Sequence, residues 1–361
     1  MISASIFPAR YVQGAGALAS LPEEAARLGN KGLMIAGRTA RPIVEQALAG
    51  QSALVLVHET FNGECSDEEI DRLVGVAKQG KVDVIIGVGG GKPLDTAKAV
   101  AHVLQLPVVI VPTLASTDAP CSALSVIYTP EGAFKRYLLL PRNPDVVLVD
   151  STVIVNAPVR FLVSGMGDAL STWFEAEDCR ASQAPNMTGR PGTMTAFGLA
   201  RMCFDTLMED GLAALKACEE KKVTPELERI VEANILLSDL GFESGGLSGA
   251  HAIHNGLTAL RETHDCWHGE KVAIGTLSLL MLTKRPADMV SRVYDFCQAV
   301  GLPVCLADIG LESPTDEQLM LVARQTCAEG ETIHNLKGGV TPEAVLAAIK
   351  AADAEGRRRK G

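Results

Sequence analysis

The sequence holds nine cysteines but no C-x-x-C pair. Their odd number and scattered spacing exclude a disulfide framework and a cysteine zinc knuckle, and fit a reduced cytosolic chain. No apolar run approaches the roughly 18 to 20 residues needed to cross a bilayer. The opening stretch MISASIFPARYVQG lacks a basic segment followed by an apolar one, so no secretory leader is expected and a cytoplasmic location is. Positive charge is also in deficit: the net charge is −10, which argues against nucleic acid or an anionic membrane as the main partner. The one basic cluster, Arg357-Arg358-Arg359-Lys360, reads as a solvated tail. Internal repeats and low-complexity segments are missing as well. What remains is a 361-residue chain, 47% apolar and rich in glycine, with the profile of a globular enzyme of two domains.

The two halves follow different grammars. GLMIA (32–36), ALVLV (53–57), VDVIIGV (82–88), PVVIV (107–111) and DVVLVD (145–150) are short β-branched runs of the kind that form strands buried on both faces. Between them lie amphipathic stretches such as SDEEIDRLVGVAKQG (66–80), whose Ser66 and Glu69 predict a capping box. This alternation predicts a parallel, doubly wound sheet. SALSVIYTPEGAFKRYLLLP (122–141) interrupts it as an inserted antiparallel hairpin turning at TPEGA. It follows the loop PTLASTDAPC at the carboxyl end of a predicted strand, where ligands of α/β sheets bind. After Pro158 the strand-like runs disappear and helical patterns take over: 163–179, 191–209, 224–240, 248–260, 270–282, 286–300, 316–329 and 341–355. The expected organisation is an α/β domain over 1–157 and an all-helical domain over 158–361.

Two places carry chemistry. In VDVIIGVGGGKPLDTAKAV, Gly89, Gly90 and Gly91 stand between a strand and a helix. Glycines there let backbone N–H groups close on a pyrophosphate at a helix N-terminus, and Pro93 suits the first turn. The loop matches neither G-x-G-x-x-G nor G-x-x-x-x-G-K-[ST], and a plain tight turn is the alternative. The second place is LSGAHAIHNGLTALRETHDCWHGE (247–270), with four of the chain's seven histidines. His251 and His254 are neighbours on a predicted helix. His268 precedes Gly269 and can return to the same site. H-E-x-x-H is absent, so metalloprotease chemistry has no support. A catalytic zinc site uses three N or O ligands and leaves one position open. The best third candidate is Asp168 in SGMGDALSTWFEAE, expected in the first turn of a helix, where a cap or dipole partner is the plainer reading. His264 reads as a loop residue.

GVGGGKPLDTAKA, PTLASTDAPCSALSVIY, RYLLLPRNPDVVLVD, GMGDALSTWFEA, GFESGGLSGAHAIHNGLT and HGEKVAIGT resemble the glycerol dehydrogenase branch of the iron-containing alcohol dehydrogenase superfamily, and the resemblance runs through GETIHN near 330. It implies a Rossmann-like NAD domain with a mostly parallel sheet and inserted hairpin, an all-helical C-terminal domain, and a metal in the cleft between them. It implies reversible, NAD-dependent oxidation of glycerol at C2 to dihydroxyacetone. Motif by motif, zinc ligands fall on Asp168, His251 and His268, which also face the substrate. His254 matches a histidine that is not a ligand, and Thr172 stands where the wider superfamily often has a fourth. The pyrophosphate loop falls on Gly89 to Lys92 with Asp95. Thr113 and Ser116 fall on the adenine side, and Ser122, Leu124 and Tyr128 on the nicotinamide side. Asp118 falls near the glycerol hydroxyls, and Asp118 and His254 are candidates for orienting or relaying a proton.

Relatives commonly end the second-ranked strand with an acid that grips the adenosine ribose. Here Gly37 and Arg38 occupy that position. An acid favours NAD, and a nearby Arg accepts the 2′-phosphate of NADP. NAD remains the expected cofactor by resemblance, and an octameric homo-oligomer the expected assembly. Alternatives are a dehydrogenase of another vicinal diol such as 1,2-propanediol and, more distantly, a dehydroquinate synthase-like lyase. The lyase needs a basic pocket, and the Asp, Ser and Thr of these motifs do not supply one.

Overall fold

A computed structural model describes residues 2–50 and 54–361. These described residues form eight strands: β1 (Tyr11–Gly14), β2 (Lys31–Ala36), β3 (Val55–Thr60), β4 (Val84–Gly89), β5 (Val108–Pro112), β6 (Leu124–Tyr128), β7 (Phe134–Leu139) and β8 (Val146–Asp150). Six of them make one sheet in the order β1-β8-β5-β4-β2-β3, every pair parallel. The central strands β4, β5 and β8 are buried along their whole length, as expected of runs covered on both faces. Val84, Ile86, Val88, Val109, Val111, Val146 and Leu148 pack with Leu21, Ala25 and Val44 into one apolar cluster. The sequence reading lacked β1, a short edge strand inside the N-terminal stretch. Ala53, the first residue of the expected ALVLV strand, lies outside the described residues.

β6 and β7 form the separate antiparallel hairpin. The turn closes through Gly132, which has a φ of 87° and donates its N–H to Thr129 O. Only half of the expected capping box forms. Ser66 Oγ accepts the Glu69 N–H at 3.3 Å, but the Glu69 carboxylate takes the Asn62 N–H and Arg72 instead. A buried carboxylate is held better by a guanidinium than by one more backbone N–H.

The chain divides into two compact units. One comprises Ile6–Val159 and Ala217–Leu236; the other comprises residues 2–5, Arg160–Lys216 and Leu237–Gly361. The single boundary expected at 157 therefore misses two exchanges of chain, each with a local cause. Glu228, on the helix Pro225–Glu232, accepts from the Gln13 side chain at 2.7 Å and from Ser151 Oγ at 2.6 Å, tying that helix to the sheet unit. Ala4 exchanges hydrogen bonds with Pro191 O and the Asn186 amide, tying the N-terminal residues to the helical unit. No helix among the described residues is long and apolar enough to cross a membrane.

Candidate functional site

The sheet unit offers a candidate ligand site made of backbone. From β2 the chain proceeds outward to β3, and from β4 it proceeds the other way to β5. The strand order therefore reverses between β2 and β4, the place where open α/β sheets bind ligands beyond their carboxyl ends. Gly37 and Gly89 flank that point: Gly37 N–H donates to Val88 O at 3.2 Å, and Thr113 N–H to Gly89 O at 2.9 Å. Gly89 has a φ of 142°, and a Cβ there would lie 2.7 Å from Pro93. Gly90 caps the helix Gly91–Leu104, and Pro93 lies in its first turn.

The other expected cofactor residues gather on the same unit. Lys92 pairs with Glu64 at 2.6 Å and stands over the Tyr128 ring. Burial raises the Tyr128 phenol to about 12. Asp95 is buried, and its carboxylate is occupied by Lys98 at 2.9 Å and by the Val126 N–H at 3.0 Å. Burial pushes the Asp95 pKa up despite Lys98. Lys98, which sequence reasoning missed, also donates to Ala119 O, Ser122 Oγ and Leu124 O. It thus pins the segment that carries Ser122 and Leu124. Ser116 and Asp118 lie on the loop after β5, with Asp118 O accepting the Cys121 N–H. Arg38 is exposed, and Arg41 pairs with Glu45 at 2.8 Å and reaches Thr60.

The helical unit offers a site made of side chains. Asp168, His251 and His268 form the one group of three or more His, Cys, Asp or Glu residues, among those described, whose donor atoms lie within 4.8 Å of one another. Asp168 is not in a first turn as expected but inside the long helix Val159–Ser182. Gly167, just before it, serves close packing rather than a helix start. A Cβ on Gly167 would lie 2.4 Å from Gly269 O, and one on Gly269 would lie 1.8 Å from Ser164 O. The backbone touch of these two glycines brings His268, first residue of the helix His268–Leu282, against Asp168. Arg160 grips Glu270 through two bonds of 2.6 and 2.8 Å, and Glu270 accepts the Trp267 N–H, so that helix start is anchored. His251 rides on the helix Gly249–Leu257, which packs on the His268 helix where Gly275 meets Ala250 O.

Asp168 Oδ1 lies 3.3 Å from His251 Nε2 and 3.2 Å from His268 Nε2. Two ligand atoms on a tetrahedral centre with bonds near 2.1 Å are separated by roughly 3.4 Å. The set therefore fits a small divalent cation. Exposure rises from 1% at the Asp168 side chain through 14% at His251 to 38% at His268, so the cluster is closed behind the carboxylate and open beside His268. Burial alone would raise the Asp168 pKa, but His268 and His251 outweigh it and hold the carboxyl far below the usual range. Burial would lower His251, yet Glu175 and Asp168 hold it well above its ordinary value. Positive charge is stabilised here.

Of the other histidines, His254 is buried, its Nδ1 3.1 Å from Asn255 Oδ1 and its ring 4.2 Å from that of His268. Burial, then His268, His251 and Lys271, push its pKa well down. It stands beside the cluster, outside the ligand set. His264 is exposed and bonds Thr258 O. Thr172 bonds Ser238 Oγ at 2.9 Å and takes no part in the cluster. Sequence reasoning also missed Glu175. Its signal was available: it lies roughly two helical turns beyond Asp168 and so on the same face.

Residues 8–151 match the model of the family described as iron-containing alcohol dehydrogenase. Along its whole length the chain is 59% identical to the glycerol dehydrogenase of Thermotoga maritima, covering 99% of that protein. It is 44% identical to the glycolaldehyde reductase of Halobacterium salinarum, over 97% of each chain. The crystal structure of a probable glycerol dehydrogenase from Sinorhizobium meliloti superposes with a TM-score of 0.93 at 44% identity, over 99% of this chain and 100% of the other.

Proposed function

The chain belongs to the iron-containing alcohol dehydrogenase family, and from that premise we propose that it is an NAD-dependent glycerol dehydrogenase with a catalytic zinc. Glycerol and NAD⁺ yield dihydroxyacetone, NADH and a proton: C2 gives up a hydride and its hydroxyl a proton. The observation that carries this reading is the Asp168–His251–His268 cluster on a chain 59% identical, end to end, to a glycerol dehydrogenase.

Asp168, His251 and His268 would hold the zinc. A cation with one carboxylate and two imidazoles keeps net positive charge and supplies a Lewis acid that lowers the pKa of a bound hydroxyl. Two adjacent hydroxyls of a diol are proposed to bind at the open side beside His268, and Asp118 is proposed to orient them. His254, held neutral by its burial, adds no charge to the cluster and is proposed to orient the substrate. The main chain of Gly89, Gly90 and Gly91, with Lys92, is proposed to bind the pyrophosphate. Asp95, through Lys98, would hold the segment of Ser122 and Leu124 that, with Tyr128, faces the nicotinamide; Thr113 and Ser116 would take the adenine side. Holding donor carbon and acceptor ring in attack geometry is worth on the order of several kcal/mol. A cytoplasmic homo-oligomer, octameric by kinship, completes the reading.

The test is NADH formation from glycerol, 1,2-propanediol and other vicinal diols, with glycolaldehyde assayed in the reductive direction because a relative of 44% identity bears that name. Glycerol is expected to give the highest kcat/KM; a higher value for another substrate reassigns it.

A further inference from the structure

Glu175 has no place in the reading above, yet it is fully buried against one of the three proposed ligands. Its Oε2 lies 2.6 Å from His251 Nδ1. Its Oε1 accepts two backbone N–H groups, from Ser248 at 2.9 Å and from His251 at 3.1 Å. Ser248 is the N-cap residue of the helix Gly249–Leu257 but makes no side-chain cap bond. Its hydroxyl donates to Asp178 Oδ2 instead, at 3.1 Å. The first N–H groups of a helix need partners from outside it. Here a carboxylate on the helix Val159–Ser182 supplies them.

We propose that Glu175 is the positioning residue of the metal site, with one carboxylate both capping the helix that carries His251 and fixing which nitrogen of His251 faces the metal. The inference rests on the metal-site reading. An ionised carboxylate only accepts hydrogen bonds. Glu175 is met by two backbone donors on one oxygen, so its other oxygen requires a proton on His251 Nδ1. In the neutral ring, the form that ligates a metal, that leaves the lone pair on Nε2, which lies 3.3 Å from Asp168 Oδ1. Helix position and ring tautomer are thus set by the same group. The charges agree as well: Asp168 and Glu175 together balance a divalent cation in a buried place, where an unbalanced charge is costly.

Substitution by glutamine separates this role from mere space filling. The amide has one accepting and one donating end, and all three partners of Glu175 donate. If its oxygen keeps the backbone N–H groups, its NH₂ faces Nδ1 and drives the proton to Nε2, which then cannot ligate. If it turns round, the NH₂ opposes two backbone N–H groups and the cap is lost. Aspartate keeps the charge and the accepting chemistry but is one methylene shorter.

The experiment uses metal-stripped full-length protein in the wild type, Glu175→Gln, Glu175→Asp and Asp168→Asn forms. Zinc affinity is measured by competition with a chromophoric chelator, and visible absorption is recorded after cobalt substitution. Glu175→Gln is expected to bind zinc 10- to 100-fold more weakly, the range seen when partners of metal-ligating histidines are removed. Its cobalt band should shift, and Glu175→Asp should recover part of the affinity. A folded Glu175→Gln protein with wild-type zinc affinity and an unchanged cobalt spectrum overturns the proposal. Should Glu175→Gln not fold, Glu175→Asp decides: zinc affinity equal to wild type overturns it, and weaker binding with a shifted band supports it. Undiminished zinc binding by Asp168→Asn overturns the metal reading itself, and this inference with it, by a result that does not involve Glu175.

Discussion

The two units build their candidate sites from opposite materials. In the sheet unit the site is main chain at strand ends: Gly37 and Gly89 lie beside the point where the strand order reverses, with the buried Asp95–Lys98 pair bracing the segment next to them. In the helical unit it is side chains from three helices, Asp168, His251 and His268, brought together by glycines that let backbones touch. A backbone site is set by the fold and tolerates many side chains around it. A side-chain site depends on each residue and on whatever aims it. Substitutions should therefore behave differently in the two units.

The largest effect is expected in the helical unit. Asp168→Ala or His268→Ala should abolish stoichiometric zinc and lower kcat by at least ~10³-fold, since a Lewis acid worth several kcal/mol is lost. Metal analysis beside steady-state kinetics checks this, and retained stoichiometry in both variants refutes the ligand assignment. In the sheet unit the expected penalty is in stability instead. Lys98→Met strands the Asp95 carboxylate in a buried place and should cost about 3–5 kcal/mol by urea unfolding, with zinc content unchanged. If Lys98→Met loses zinc, the contrast between the units breaks.

How much of this was legible follows the same division. The strands around β4, the hairpin and the glycine loop are local patterns in the sequence, and they lie within a residue or two of where they were expected. Asp168 was singled out from its neighbourhood, but its place in the helix was misjudged. Gly165 and Gly167 look like a helix start in one dimension, whereas in three Gly167 is the point where Gly269 approaches the helix backbone. The spacing of Glu175 from Asp168 put both on one helix face, but its role shows only once Ser248 and His251 are in place; Lys98 likewise needs the oxygens of 119–124. The exchange of chain at 217–236 was hidden for the same reason, since it depends on Glu228 meeting Gln13 and Ser151.

Two smaller effects sharpen the contrast. A Cβ on Gly37 meets nothing within 4 Å, so Gly37→Asp should be tolerated and install a carboxylate beside the reversal point. The ratio of kcat/KM for NAD over NADP should rise about tenfold, the worth of one charge-assisted hydrogen bond to the ribose. An unchanged ratio places the ribose elsewhere.

The last prediction concerns Asp178, on the same helix as Asp168 and Glu175 and paired with Arg285 at 2.7 Å. Burial raises its pKa from 3.8 to about 6, outweighing Arg285 and Ser248. A carboxyl with a raised folded-state pKa contributes stability that is full below pH 3.8 and is lost as pH rises through about 6. The stability of wild type relative to Asp178→Asn should therefore fall across that window, by on the order of 2 kcal/mol. Parallel denaturation curves at pH 4 and pH 7 check it, and a rise in place of a fall reverses the assignment.

Zinc held by Asp168, His251 and His268 is proposed to make this chain a diol dehydrogenase. The most direct test is to strip the protein with a chelator, add zinc back in steps, and follow glycerol-dependent NADH formation in the same samples. No turnover is expected without metal, and full recovery at one zinc per chain, with Asp168→Ala unresponsive. Full activity in metal-free protein contradicts it.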